Sequence, residues 1–486
     1  MSLKQKTVSG IFWSSVDSFS VQGIQIVLVI ILNRILLPED FGVIGKLIIF
    51  LAVSQTFVDS GFANALIRKQ NRTETDFATV FYFSIITGLL FYFILFFISP
   101  YIAAFYNTPI LESLAKVVAL NIFINSLTIV HRAKFTINVD FKTQTKASLL
   151  SVIISGIIGI VMAYKGFGVW ALVVQSVVGT CINMIMLWIY SSWLPLKVFS
   201  ISSFKEMFSY SSKLLISGLI DTIYNNIYTL VIGKKFTESD LGYYTRADGY
   251  SQFPSSSITM VLSRVAFPIL SSIQDDNEKL KETFRKFLCI SAFIIFPLMI
   301  GLLAIADPLI RSLFTDKWAG MILLLQILCL SRMWISIHAF NLNILYVKGR
   351  SDLFLKLEII KKVMGVIILC ITIPIGVVAM CWGLVVNSFI CLFINTYYTG
   401  KLMQFGFLKQ MKDLLPTVAN SFSMGIIVWG ITQLIHINIL ALIAGITFGV
   451  IYYFSVAYLT KSQELQEVIS LIDIEKVKNR LWNNRK

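Results

Sequence analysis

Residues 33–45 read NRILLPEDFGVIG, and two hundred positions later residues 233–245 read GKKFTESDLGYYT. Laid together, Arg34 meets Lys234, Leu36 meets Phe236, Asp40 meets Asp240, Phe41 meets Leu241 and Gly42 meets Gly242. Each copy joins one long apolar run to the next. They read as equivalent hairpin tips in two halves of a duplicated membrane protein. Pro38, Asp40 and Gly42 shape the tip in this reading, with the glycine supplying a turn.

A second match supports the duplication. Residues 170–176 read WALVVQS and residues 382–388 read WGLVVNS, an offset of 212. Order and spacing then define two six-span blocks, residues 1–200 and 205–410, followed by an extra helix pair at 411–460 and a basic tail at 461–486. An even number of spans per block inserts both copies in the same direction, so they are related by an axis along the membrane normal.

Composition agrees. The 486 residues are 56% hydrophobic and 14% charged, with a mean hydropathy of +0.78, whereas an ordinary soluble domain is about 25% charged. A span takes roughly 20 apolar residues, and fourteen candidates fit: 11–33, 43–66, 77–98, 113–132, 147–164, 169–191, 212–233, 247–270, 287–306, 319–345, 358–374, 377–398, 416–434 and 438–459. Runs such as IQIVLVIIL at 24–32 lack the alternation of a membrane β-barrel. The expected fold is therefore an all-α polytopic membrane protein.

The net charge of +15 has a topological explanation. With the N-terminus inside, 31 Lys and Arg fall on cytoplasmic loops and span ends and nine on the outside, a positive-inside pattern that needs no nucleic-acid face. Both termini are then cytoplasmic. Phe199, Phe204, Met207 and Phe208, between spans six and seven, read as an interfacial stretch, and Leu465, Val468, Ile469, Ile472 and Leu481 as an amphipathic tail. The six cysteines sit singly in apolar runs and there are three histidines, so no metal site, disulfide framework or cofactor is indicated. The absence of GxxxxGK[ST], GxSxG and HExxH motifs points away from nucleotide hydrolysis and from enzymatic work.

Charges inside spans are costly and therefore candidate functional groups. Asp17 in the first span and Asp221 in the seventh hold nearly equivalent repeat positions. They read either as a coupling-ion site or as hydrated residues near the cytoplasmic end. Candidate cations for an anionic substrate are Arg34 and Lys46 beside the first tip, Arg246 and Arg264 on or near span eight, and Arg332 deep in span ten. Arg34 also fits snorkelling to the outer interface. Tyr224, Tyr228, Tyr243, Tyr244, Tyr250 and Phe253 fit either an interfacial belt or sugar stacking.

The opening SGIFWSSVDSFSVQGIQIVLVIILNRILLPEDFGVIG, with its Arg34, Leu36, Pro38, Asp40, Phe41 and Gly42, and the following DSGFANALIRKQ at 59–70, resemble bacterial polysaccharide flippases. These form the Wzx-type branch of the multidrug/oligosaccharidyl-lipid/polysaccharide (MOP) superfamily, and the likeness is nearest to colanic-acid or teichuronic-acid exporters. The resemblance implies two six-helix lobes in a V around a cationic cavity, and translocation of an undecaprenyl-pyrophosphate-linked oligosaccharide in the bacterial cytoplasmic membrane. Its implied partners are the lipid-linked oligosaccharide, membrane lipids, and polysaccharide polymerase and chain-length machinery. Two other readings stay open: a cation-coupled multidrug antiporter of the same superfamily, and a membrane polysaccharide polymerase or ligase.

Overall fold

The computed structural model describes residues 20–59 and 61–472. Every regular element among the described residues is a helix, and the chain divides into two compact units, Met1–Gly242 and Tyr243–Lys486. The first unit holds α1 (Ser20–Ile35), α2 (Pro38–Asp59), α3 (Phe62–Arg68), α4 (Glu74–Tyr106), α5 (Ile110–Val118), α6 (Leu120–Ser126), α7 (Ile129–Ile137), α8 (Phe141–Tyr164), α9 (Val169–Ser191) and α10 (Ile201–Lys235). Helix α11 (Glu238–Ser272) starts in the first unit and carries the chain into the second. There follow α12 (Asn277–Ala304), α13 (Ala306–Leu313), a 3-10 turn (Asp316–Trp318), α14 (Gly320–Arg332), α15 (Ile335–Val347), α16 (Ser351–Thr372), α17 (Val377–Met403), α18 (Phe407–Leu434), α19 (Asn438–Leu459) and α20 (Gln463–Ile472).

Twelve helical segments among the described residues are long and apolar enough to cross a membrane. Two more expected segments fall on α1, which is shorter in its described part, and on α16, whose N-terminal part carries Lys356, Glu358, Lys361 and Lys362. Helices α10 and α11 run 35 residues each, well beyond the expected spans. Of the stretch expected to lie along the interface, Phe204, Met207 and Phe208 fall in the first turns of α10 and Phe199 just before it. Phe204 stacks on Phe62 at 5.7 Å and Met207 is buried, while Phe199 and Phe208 stay exposed and available to an interface. The same junction is tied by Lys69, whose Nζ bonds Glu206 at 3.0 Å and Asp76 at 3.1 Å. Burial works against the Lys69 charge, but these two carboxylates outweigh it and hold the ammonium above its usual range.

Three candidate spans are interrupted among the described residues, Pro38–Arg68 near Gly61 and two in which neighbouring side chains satisfy the backbone groups this frees. The fourth, Ile110–Ile137, breaks between α6 and α7, where Trp188 Nε1 donates to the Leu127 carbonyl at 3.0 Å. The tenth, Gly320–Val347, breaks between α14 and α15, where Ser255 Oγ donates to the Arg332 carbonyl at 2.6 Å and Ser388 Oγ to the Ser331 carbonyl at 3.2 Å. The serine-rich, weakly apolar eighth span thus places a hydroxyl where a broken helix needs a donor.

Two larger apolar clusters among the described residues organise the first unit, one uniting α2, α4, α5, α6 and α9 through Leu47, Tyr106, Leu114 and Val173, the other uniting α3, α4, α7 and α10 through Phe62, Phe81, Val130 and Met207; a smaller one joins α7, α8 and α9 through Phe135, Ala147 and Leu187. In the second unit Phe293, Met424, Val428 and Tyr453 gather α12, α18 and α19, and Leu465 of α20 joins them. The rest of the expected amphipathic tail, 473–486, lies outside the described residues.

Candidate functional site

The repeated tips are helix N-termini. Asp40 Oδ2 accepts from the Leu37 N–H at 2.9 Å. Asp240 Oδ2 accepts from the Thr237 N–H at 3.2 Å, and Thr237 Oγ1 accepts in return from the Asp240 N–H at 3.1 Å. The second tip is a complete capping box, and the first is half of one because Leu37 lacks a side-chain acceptor. Pro38 occupies the first helical position, where its missing N–H leaves nothing unsatisfied.

The glycines do something other than turn the chain. The turns lie at 36–37 and 236–237, and both glycines sit inside helices. A Cβ on Gly42 would stand 1.8 Å from the Glu238 carbonyl oxygen, and one on Gly242 would stand 2.0 Å from the Pro38 carbonyl oxygen. The two tips therefore cross, each glycine resting on the first residue of the other helix, and Ser239 Oγ donates to Glu39 across the crossing. Only a hydrogen in place of a side chain permits that approach.

One turn further in, Lys46 and Arg246 hold matching positions at the same offset. Lys46 is buried; its Nζ donates to Glu238 Oε1 and Thr108 Oγ1, both at 2.8 Å, and lies 5.6 Å from the centre of the Tyr106 ring. Arg246 is half-buried on α11. Arg332 closes α14, and its Nη2 is paired with Asp248 of α11. These two side chains are 24% and 25% exposed, so the pair is screened by protein yet reachable. Asp248 was missed by sequence reasoning; the signal available was a carboxylate two residues from Arg246 in a weakly apolar span. Beyond the helix break, Asn395 Nδ2 donates to His338 Nδ1 at 3.1 Å, which leaves Nε2 to bond Ser388 Oγ at 3.1 Å.

Arg34 is exposed at the end of α1, and Arg264 is exposed on α11 with Nη2 3.3 Å from Met260 Sδ. Asp221 is exposed on α10, and Asp17 lies outside the described residues. Of the tyrosines weighed as belt or sugar platform, Tyr243 bonds the Lys317 carbonyl at 3.0 Å and Tyr250 stacks on Phe314 at 5.3 Å, so both pack within the second unit.

The first unit also contains a polar cavity of about 320 Å³. It lies where α2 gives way to α3 at Gly61 (φ 72°) and where α6 gives way to α7. Asp59 and Arg132 both line it. Gln55 Nε2 donates to Asp59 Oδ1 at 3.0 Å, Asn125 Nδ2 reaches Gln55 Oε1 at 3.4 Å, and Arg132 Nη2 reaches Asn183 Oδ1 at 3.4 Å.

A family model described as polysaccharide biosynthesis protein matches residues 31–323. The chain is 25% identical over 434 residues to the teichuronic acid biosynthesis protein TuaB of Bacillus subtilis, spanning 89% of this chain and 90% of that one. It is 24% identical over 448 residues to the lipopolysaccharide biosynthesis protein WzxC of Escherichia coli, spanning 88% and 90%. Among solved structures it is similar to the lipid II flippase MurJ in an inward closed conformation, with a TM-score of 0.76 at 14% identity over 93% of this chain and 98% of that one. It is also similar to an inward-facing multidrug resistance MATE family transporter of the MOP superfamily, with a TM-score of 0.58 at 15% identity over 78% and 94%. At these identities the structural likeness is one of fold, and it bears out the expected fold class.

Proposed function

Because the chain belongs to the polysaccharide biosynthesis protein family, we propose that it is a flippase. It carries undecaprenyl-pyrophosphate-linked oligosaccharide repeat units from the cytoplasmic to the outer leaflet by alternating access, for cell-surface polysaccharide synthesis. The observation that carries this reading is likeness along nearly the whole length, 89% of the chain, to a relative named for teichuronic acid biosynthesis. Relatives named as flippases or transport proteins support a role in which no covalent bond is made or broken.

The chemistry is consistent. A sugar–pyrophosphate head cannot enter hydrocarbon unaided, because burying unpaired charge costs many kcal/mol, while a polyprenyl tail stays in lipid. Arg246 and the Asp248-paired Arg332 are the cations we assign to the pyrophosphate. Arg34 and Arg264, both exposed, are secondary candidates on its path, and Lys46, held by Glu238 and Thr108, serves chiefly to lock the tips. An inside-negative potential assists outward movement of negative charge by about 2.3 kcal/mol per charge per 100 mV. Asp221 and Asp17 remain the coupling-ion candidates. The excess of 31 inner over nine outer cations supports cytoplasmic termini in the bacterial cytoplasmic membrane, where polysaccharide polymerase and chain-length machinery would receive the product.

The test is reconstitution into liposomes with a fluorescent lipid-linked oligosaccharide, following its exposure to an impermeant reagent outside. Translocation by wild type and its loss in Arg332→Ala and Arg246→Ala are the expected outcomes. Failure to translocate, together with efflux of a cationic dye, would move the assignment to the antiporter reading.

A further inference from the structure

We infer that the cavity at the α2–α3 and α6–α7 breaks binds a neutral, hydroxyl-rich sugar of the substrate's head group, with Asp59 accepting from its hydroxyls and Arg132 donating to its oxygens. This rests on the flippase reading and adds a place where the cargo's sugar is read. Seven of the twelve lining residues are polar: Gln55, Asp59, Asn64, Asn125, Thr128, Arg132 and Thr136. At about 320 Å³ the space lies at the lower end of the roughly 300–1,000 Å³ usual for small-ligand sites.

The charge arrangement selects the ligand. Asp59 and Arg132 face the same space and feel one another electrostatically, yet they form no ion pair among the described residues. Each is held by a neighbouring amide, Asp59 by Gln55 and Arg132 by Asn183. The second carboxylate oxygen and the remaining guanidinium N–H groups have no protein partner among the described residues. A braced acceptor and donor held apart accommodate a ligand offering both, as a ring bearing neighbouring hydroxyls does. A phosphate is disfavoured, since one guanidinium is opposed by a carboxylate. A cationic drug is disfavoured too, since no aromatic ring lines the cavity among the described residues.

The experiment uses the full chain with two probes. The first is the free repeat-unit oligosaccharide, released from its lipid, added to detergent-purified protein and read by saturation-transfer-difference NMR. Wild type should transfer saturation to the ring protons, and Asp59→Asn and Arg132→Gln should reduce that signal at least tenfold. Asn64→Ala, at an exposed lining residue, tests the site without threatening the fold and should weaken the signal severalfold. The second probe is a pair of lipids in proteoliposomes, undecaprenyl pyrophosphate bearing the whole repeat unit or a single hexose. The variants should slow the first more than the second. An undiminished sugar signal in all three variants, or an equal slowing of both lipids, overturns the proposal and leaves the pair a structural role. A wild type that translocates neither lipid sinks the flippase reading, while the NMR result still decides the cavity.

Discussion

The crossing of the two tips makes a sharp prediction. In Gly42→Ala the new Cβ would stand 1.8 Å from the Glu238 carbonyl oxygen, against 3.4 Å for an ordinary contact, so the start of α11 must retreat by the difference, 1.6 Å. Glu238 also accepts the Lys46 ammonium at 2.8 Å, and Ser239 holds Glu39. A retreat of that size opens both. Overpacking alone costs typically about 1–3 kcal/mol. Stranding a buried charge can cost about 3–5 kcal/mol, reduced here because Glu238 is 33% exposed. The terms share one displacement and do not simply add, so we expect a loss of about 2–4 kcal/mol. Gly242→Ala, with its Cβ 2.0 Å from the Pro38 oxygen, should behave alike. Since one separation of the helices relieves both clashes, the double variant should lose less than the sum, with a coupling of about 1–2 kcal/mol. Gly430→Ala, with nothing within 4 Å, is the control. Unfolding of purified protein in detergent is the assay, with a Cys pair at Glu39 and Ser239 reporting tip separation. Tip variants as stable as the control, or a strictly additive double variant, would refute the crossing.

Three further expectations follow from the same geometry. Arg332→Gln or Asp248→Asn alone should each destabilise by about 2 kcal/mol, below the range for fully buried pairs because both groups are about a quarter exposed; the double variant should recover stability while export in cells stays impaired. Trp188→Phe strands the Leu127 carbonyl at the break in the fourth span, with an expected loss of about 1–3 kcal/mol in the same unfolding assay. Among the described residues Arg264→Ala removes a contact to Met260 alone and should change stability by less than about 0.5 kcal/mol, so a fall in export by that variant reports on substrate.

Much of the fold is readable because hydropathy acts locally: a run of apolar residues sets a span whatever it packs against. The tips were readable for a related reason. Asp40 and Asp240 cap their own helices three residues away, and such short-range chemistry leaves its mark at a fixed spacing. Arg332 stood out as a cation deep in a span. Its partner Asp248 did not, because the two lie 84 residues apart and nothing local links them. Asp59 falls within the second expected span, 43–66, and Arg132 at the end of the fourth, 113–132, but their shared cavity depends on two helix breaks that bring distant residues together.

Gly42 and Gly242 mark the boundary between the two kinds of knowledge. Sequence alone determined that they are equivalent, since the repeat aligns them, and that each sits beside a helix start. It could not determine what they are for. A glycine is compatible equally with a left-handed turn and with a close helix crossing, and the choice rests on whether another backbone occupies the space where a Cβ would go. Only the tertiary structure places the Glu238 and Pro38 carbonyls there, turning a repeated pattern into a contact between the two copies.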